Sequence, residues 1–439
     1  MKKTSRSRSP FLAGIVGNVL EWYDFALYGH FSVLISRHFF PEGDRILATF
    51  AVFSVSFFMR PIGAILFSAI GDRHGRRKAL SLSILGMAVP TAGIGLLPGY
   101  SDIGLAATLI LILLRLLQGV ALGGEMGGAV TFVMEHTPKN RIGHASSWIQ
   151  ASTCLGLLAG TLIAGLLAGV LEKTAFEDWG WRIPFILGVV AAWLGFLIRR
   201  GMAESVLFEI ARNENRLQKN PLGELRGNYW KQTLTGIAVI APMTCGFFFC
   251  FVYFNSFLIT AGGLESAKAL LITSAGLTLS LAATLISGKI ADRIGYRPIL
   301  LITGTLMVFV SIPLTGMMGG VWAPSPGAGI LAYFTLSVLL GAYCSTAFAS
   351  VTGLFPTPIR YSGISVAVNL ASPIFGSTVP LLVTAVLESK GQSGAFMAFG
   401  IYFTLLWVLA LIAIGRMCPQ AFSRWGHPES SESQTLLPQ

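Results

Sequence analysis

Charge is what this chain has least of: Asp, Glu, Lys and Arg make up 12% of its 439 residues, about half the share of an ordinary soluble domain. With 53% hydrophobic residues and a mean hydropathy of +0.69, the chain cannot build a water-facing surface, so its composition is that of a polytopic membrane protein. No Gly-rich loop ending in Gly-Lys-Ser or Gly-Lys-Thr is present, which leaves nucleotide-driven work unsupported. The five cysteines, Cys154, Cys245, Cys250, Cys344 and Cys418, lie in or at the ends of apolar runs without paired metal spacing, and they read as packing residues. His30, His38 and His136 show no ligand spacing either, so no metal or other cofactor is expected. A nucleophile–base constellation is also missing, and the chain is not read as an enzyme. The longest polar stretch, Gly201 to Trp230, is too short for an appended signalling domain, which sets aside a nutrient sensor. No cleavable signal is evident, because the apolar run after the basic Met1–Pro10 is long enough to span and carries Glu21 and Asp24.

What the chain does have is long apolar runs. Reading about 20 mainly apolar residues as one crossing gives twelve spans, near 11–36, 47–70, 79–98, 104–134, 142–171, 182–200, 231–260, 266–290, 297–318, 327–352, 362–388 and 395–418. The expected organisation is an N-terminal arm over 1–10, a six-helix half over 11–200, a linker over 201–230, a second six-helix half over 231–418 and a tail over 419–439. If the N-terminus is cytoplasmic, 23 of the 31 Lys and Arg residues fall on the cytoplasmic side and six outside, with Arg60 and Arg115 inside spans. That bias places both termini in the cytoplasm. It also accounts for the net charge of +11 without nucleic acid or any other anionic partner.

The costly stretch is Gly17 to Tyr28. At about 100° per residue, Asn18, Glu21, Asp24 and Tyr28 line up as one polar stripe on an apolar helix. An acid at mid-membrane depth costs roughly 2.5–3.5 kcal/mol on insertion scales and normally faces a partner or a wet cavity. Arg115, inside the fourth span, is the expected partner of Asp24, or of Glu21 on a rotated helix. Taking Arg115 as zero, Gln118 and Glu125 fall at about −60° and −80°, while Gly119, Gly123 and Gly127 form an adjacent smooth face for close helix packing. Arg60 precedes Pro61, and a structural role is open to it: satisfying carbonyls freed by the proline. The ring cluster Phe247, Phe248, Phe249, Phe251, Tyr253 and Phe254 reads as lipid-facing or packing surface, with a cation-holding role for a quaternary ammonium cargo as the alternative.

The two halves resemble each other. Gly71-Asp72-Arg73-His74-Gly75-Arg76-Arg77 returns as Ala291-Asp292-Arg293-Ile294-Gly295-Tyr296-Arg297, 220 residues on, and Thr137-Pro138 returns as Thr357-Pro358. Gln150 and Asn369 also correspond. Repeated halves with a site at mid-depth between them are the plan of rocking secondary transporters.

The paired loops after spans two and eight resemble the signature loop of the major facilitator superfamily, with Ser68 where a glycine usually stands and Gly288 in the second copy. More narrowly, Gly17-Asn18, Glu21-Trp22-Tyr23-Asp24-Phe25, Met59-Arg60-Pro61-Ile62-Gly63, Arg115-Leu116-Leu117-Gln118-Gly119, Gly123-Gly124-Glu125 and Trp179-Gly180-Trp181-Arg182-Ile183-Pro184-Phe185 resemble the metabolite:proton symporter family of proline/betaine, α-ketoglutarate, citrate and shikimate permeases. The resemblance implies an all-α membrane protein of twelve transmembrane helices in two pseudo-repeat halves. It further implies a multi-pass monomer of a bacterial cytoplasmic (inner) membrane, working by alternating access.

The expected function is proton-coupled symport of a small organic acid or zwitterionic metabolite, with the proton as coupling ion and the bilayer and substrate as partners; a proton-coupled exporter or antiporter on the same fold is the alternative. The span-five segment Gly156 to Thr161 lacks the Gly-Pro pair typical of superfamily antiporters, which favours uptake. Asp24 is expected to carry the proton, with Glu21 or Glu125 as runner-up and Arg115 reading substrate and proton alike. A carboxylate beside a guanidinium keeps its charge, and one that loses that partner in a dry site takes up a proton. Tyr28, Arg115, Gln118, Gln150, Asn255 and Asn369 are candidates for touching substrate. Asp72, Arg73, Arg76 and Arg77, with Asp292, Arg293 and Arg297, are the expected ion-pair latch at the cytoplasmic ends of the spans.

Overall fold

A computed structural model of the chain describes residues 10–41, 45–218, 220–322 and 325–417. Every backbone N–H and C=O in lipid must be satisfied within its own segment, so long apolar runs become helices. Ten described segments are long and apolar enough to cross a membrane, and the last of these, Thr357–Arg416, covers 60 residues. That is too long for one crossing. Gly391, with φ of 69°, bends it into two. With Pro10–His30, which carries Glu21 and Asp24, the described residues hold twelve spanning helices.

These are α1 (Pro10–His30), α2 (Arg45–His74), α3 (Arg76–Leu96), α4 (Leu105–Glu135), α5 (Ile142–Val170), α6 (Ile183–Arg200), α7 (Trp230–Thr260), α8 (Ser266–Ile294), α9 (Tyr296–Met318), α10 (Pro326–Thr352), α11 (360–390) and α12 (392–416). The first expected span is two pieces, since the helix breaks at Phe31 and restarts as Ser32–Phe39. Two helices carry a π-helical turn, Phe249–Tyr253 in α7 and Ser372–Ser377 in α11.

The internal repeat shows in the backbone. Gly75 (φ 110°) and Gly295 (φ 92°) hold matching left-handed positions in the turns after α2 and α8, where a side chain would be strained. Within the first half, α2 and α4 nearly touch. A Cβ at Gly119 would lie 2.2 Å from the Ser56 carbonyl oxygen, and one at Gly123 2.2 Å from that of Arg60. The packing role of these glycines is thereby accounted for. Across the halves, α5 meets α8 where a Cβ at Gly288 would lie 2.6 Å from the Gly143 oxygen, and α2 meets α11 where one at Gly71 would strike the Tyr361 ring.

The 201–230 segment is more ordered than a polar stretch suggests. It contains helices Val206–Asn213 and Pro221–Asn228, started by Ser205 Oγ accepting from Phe208 N–H (3.2 Å) and Asn220 Oδ1 accepting from Gly223 N–H (3.1 Å). Met202, Phe208, Ala211 and Leu225 are buried. Cys154, Cys245, Cys250 and Cys344 are buried and free; Cys418 lies outside the described residues, as do the basic residues of the N-terminal arm.

Candidate functional site: buried charges of the first half

Asp24 sits at the meeting point of α1, α3 and α4, 4% exposed. Its Oδ1 accepts from Thr91 Oγ1 at 2.8 Å and its Oδ2 from Gln118 Nε2 at 2.5 Å. Arg115 stands 3.9 Å from the same carboxylate. Its Nη1 donates to Gln118 Oε1 at 2.5 Å, and its guanidinium lies 3.9 Å above the Tyr28 ring centroid. Gln118 therefore bridges acid and base, accepting from one and donating to the other. The expected Asp24–Arg115 pair exists, with Tyr28 and Gln118 built into it.

The stripe on α1 does not all face this way. Asn18 Nδ2 turns to α5, donating to Ile149 O (3.1 Å), Ser152 Oγ (2.7 Å) and Thr153 Oγ1 (3.0 Å). Glu21 turns to α2, where its Oε1 accepts from Arg60 Nη2 at 2.6 Å. Arg60 thus answers a carboxylate rather than carbonyls freed by Pro61, and it lies over the rings of Phe57 (4.7 Å) and Trp22 (6.0 Å). Glu125, placed by angle near Arg115, instead makes a two-pronged pair with Arg199 of α6 and accepts from Ser83 Oγ at 2.7 Å. Arg199, at the end of the sixth span, is fully buried. Gly17 is what lets this pair fit, since a Cβ there would overlap both the Arg199 and Glu125 side chains.

At the face carrying the repeated turns, Asp72 pairs with Arg76 at 3.3 Å and accepts from Ser362 N–H (2.9 Å) and Oγ–H (2.7 Å) at the start of α11. Arg76 reaches Glu135 at 3.5 Å, and Glu135 pairs with Arg360 at 3.1 Å. The 201–230 segment closes over this group. Glu204 accepts the Arg76 N–H (3.1 Å) and Arg77 N–H (3.2 Å), capping α3, while Ser205 Oγ donates to Glu135 at 2.5 Å. The second copy is built differently. Asp292 accepts the N–H groups of Gly143 (2.6 Å) and His144 (2.9 Å) at the start of α5, Arg293 is exposed, and Arg297 donates to the Gly415 carbonyl at 3.5 Å. The expected ion-pair latch is thus an ion-pair network in one copy and a helix-capping carboxylate in the other. Arg73 and Arg77 are exposed; Arg77 donates to Met202 O at 2.7 Å.

Residues 43–371 match the family model of the Major Facilitator Superfamily. The chain is 30% identical to the glycine betaine/proline/ectoine/pipecolic acid transporter OusA of Dickeya dadantii (strain 3937), over 88% of this chain and 78% of that one. It is 33% identical to the citrate-proton symporter of Klebsiella pneumoniae, over 89% of this chain and 88% of that one. It belongs to the major facilitator superfamily. Among solved structures, the proton:xylose symporter XylE bound to 6-bromo-6-deoxy-D-glucose superimposes with a TM-score of 0.76 at 17% identity, covering 95% of this chain and 98% of that one, a likeness of fold.

In this facilitator-superfamily transporter the remaining candidates stand apart from Asp24. Asn255 is half-buried and accepts from Thr273 Oγ1 of α8 at 3.4 Å. Asn369 donates across the halves to Gly123 O at 2.9 Å. Gln150 is buried on α5. The α7 rings take the packing role: Phe247, Phe248, Phe249, Tyr253 and Phe254 are buried and Phe251 half-buried, and Phe249 stacks on Phe399 of α12 with centroids 3.8 Å apart. Sequence reasoning missed Thr91, Ser83, Glu135, Arg199, Glu204 and Tyr361, whose hydroxyl donates to Gly124 O at 2.5 Å. For Glu135 and Arg199 the usable signal is their place at the last turn of an apolar run, where neighbouring helices can keep a terminal charge inside the bundle.

Proposed function

We propose that this transporter is a proton-coupled symporter that takes up a small organic acid or zwitterion by alternating access, as a monomer in the bacterial inner membrane with both termini cytoplasmic. One observation carries the reading: a carboxylate and a guanidinium buried at 3.9 Å and bridged by Gln118, which bonds both. Such a pair is easily divided. A substrate whose binding draws Arg115 away turns Gln118 with it, Asp24 loses its counter-charge in a dry site, and a proton binds there. Departure of the substrate returns Arg115 and expels the proton. The names of the relatives, a citrate-proton symporter and a betaine and proline transporter, support a carboxylate-bearing cargo.

The Asp72 and Asp292 contacts tie each half to the other at the basic face, which in this orientation is the cytoplasmic gate, closed. Opening it breaks carboxylate bonds to two helix N-termini, where negative charge is favoured.

The test is a stabilisation screen of the purified protein against carboxylates, amino acids, betaines and shikimate-like acids, followed by uptake of the hit into proteoliposomes. Accumulation driven by an acidic exterior and abolished by a protonophore is expected. Uptake indifferent to the protonophore, or net efflux of preloaded substrate driven by an acidic exterior, contradicts proton-driven uptake.

A further inference from the structure

Around the Glu21–Arg60 pair, three buried polar atoms have no hydrogen-bond partner among the described residues: Glu21 Oε2, Arg60 Nε and Trp22 Nε1. All three side chains are more than nine-tenths buried. Buried donors and acceptors are almost always satisfied, so one acceptor and two donors left over around a single ion pair need a reason. The surroundings are aromatic and bridge the two halves. Trp22 meets Phe247 of α7 (centroids 5.0 Å apart), Phe25 meets Phe57 (5.3 Å) and Phe248 (6.2 Å), and Phe57 meets Phe248 (5.3 Å). These ring faces already hold a cation, since the Arg60 guanidinium lies 4.7 Å over Phe57.

We infer that this cluster is a subsite for the positive end of the cargo, and that the cargo is a zwitterion pairing a carboxylate with a secondary or quaternary ammonium. The inference rests on the symport reading above and assigns its substrate class. Charge balance decides the class. A zwitterion inserted between Glu21 and Arg60 replaces one ion pair with two: its ammonium lies against Glu21 and the ring faces, and its carboxylate takes Arg60 and the Trp22 N–H. No buried charge is left over. A plain carboxylate that takes Arg60 strands Glu21 without a partner, which is the expensive way to break a buried pair. A tricarboxylate adds repulsion from Glu21. Entry follows from the rings meeting across the halves, because parting the halves opens the cage. Glu21 is thereby given to the cargo and Asp24 to the proton.

The experiment measures binding to the purified full chain by calorimetry for glycine betaine, L-proline, citrate and 3,3-dimethylbutanoate, which has the shape of betaine with carbon in place of nitrogen. Glycine betaine or proline should bind at least about tenfold tighter than 3,3-dimethylbutanoate. Glu21→Gln should remove most of that preference. Trp22→Phe, which keeps a ring and deletes the N–H, should weaken binding severalfold and decides the matter if Glu21→Gln does not fold. Stronger binding of a cation-free carboxylate, with affinity unchanged in Glu21→Gln, overturns the subsite, as does binding by none of the four. Proteoliposome uptake of whichever probe binds separates the two claims. Gradient-driven accumulation of a plain carboxylate sinks the subsite and keeps the symport reading. Zwitterion binding without gradient-driven accumulation keeps the subsite and sinks symport.

Discussion

The two halves share a scaffold and divide the chemistry. In α1–α6, carboxylates and guanidinium groups are buried as Asp24 with Arg115, Glu21 with Arg60 and Glu125 with Arg199. In α7–α12 every charged residue stands at or near a helix end. The space filled by ion pairs in the first half is filled by rings in the second: Phe249 stacks on Phe399, Phe254 on Tyr333 (4.5 Å), and Phe399 on Phe403 (5.3 Å). Both π-helical turns also lie in the second half, and the one in α11 packs on α7, since a Cβ at Gly376 would lie 2.4 Å from Thr244 Oγ1. A duplicated backbone plan therefore carries two kinds of interior. The charged one is suited to holding a proton and an ion. The aromatic one has few directional bonds to break and is suited to sliding.

The largest effect expected from this contrast is on stability. Glu125→Gln leaves Arg199 buried without its counter-charge and should cost about 3–5 kcal/mol, read as loss of thermal stability in detergent. Combining it with Arg199→Leu should recover much of that loss; a double variant as unstable as the single would mean the pair is not the cause. The same comparison at the gate is smaller. Asp72→Asn breaks into the Arg76, Glu135 and Arg360 network and should slow turnover by about tenfold with substrate binding retained, while Asp292→Asn, which loses only helix-capping bonds worth about 1 kcal/mol, should slow it a few-fold. Equal effects at the two positions would erase the distinction between the copies. In the aromatic half, Phe399→Leu should cost about 1–2 kcal/mol of stability and leave the number of protons moved per substrate unchanged. A changed ratio there would spread coupling beyond the first half.

Much of this was legible in the chain itself, for reasons that also mark where legibility ended. Apolar length fixes the spans to within a few residues, and Asp24 with Arg115 stands out because lipid tolerates neither alone. Helical angle placed Gln118 beside Arg115 on α4, but it could not say which neighbouring helix each polar residue of α1 would face. Asn18, Glu21 and Asp24 fan out to α5, α2 and α3–α4 in turn. Arg199 and Glu135 were obscured by position. A charge at the end of an apolar run reads as loop, whereas a partner on a neighbouring helix can hold it inside the bundle, as Glu125 holds Arg199 and Arg360 holds Glu135. The capping role of Glu204 depends on the 201–230 segment folding back across α3, a long-range contact without a local signature.

The central claim is that Asp24 carries the proton while the rest of the machinery moves the cargo. Its most direct test is Asp24→Asn in proteoliposomes, comparing substrate exchange at equilibrium with accumulation against an imposed proton gradient. Exchange at near wild-type rate with accumulation lost is the predicted result. Undiminished gradient-driven accumulation by the variant would contradict it.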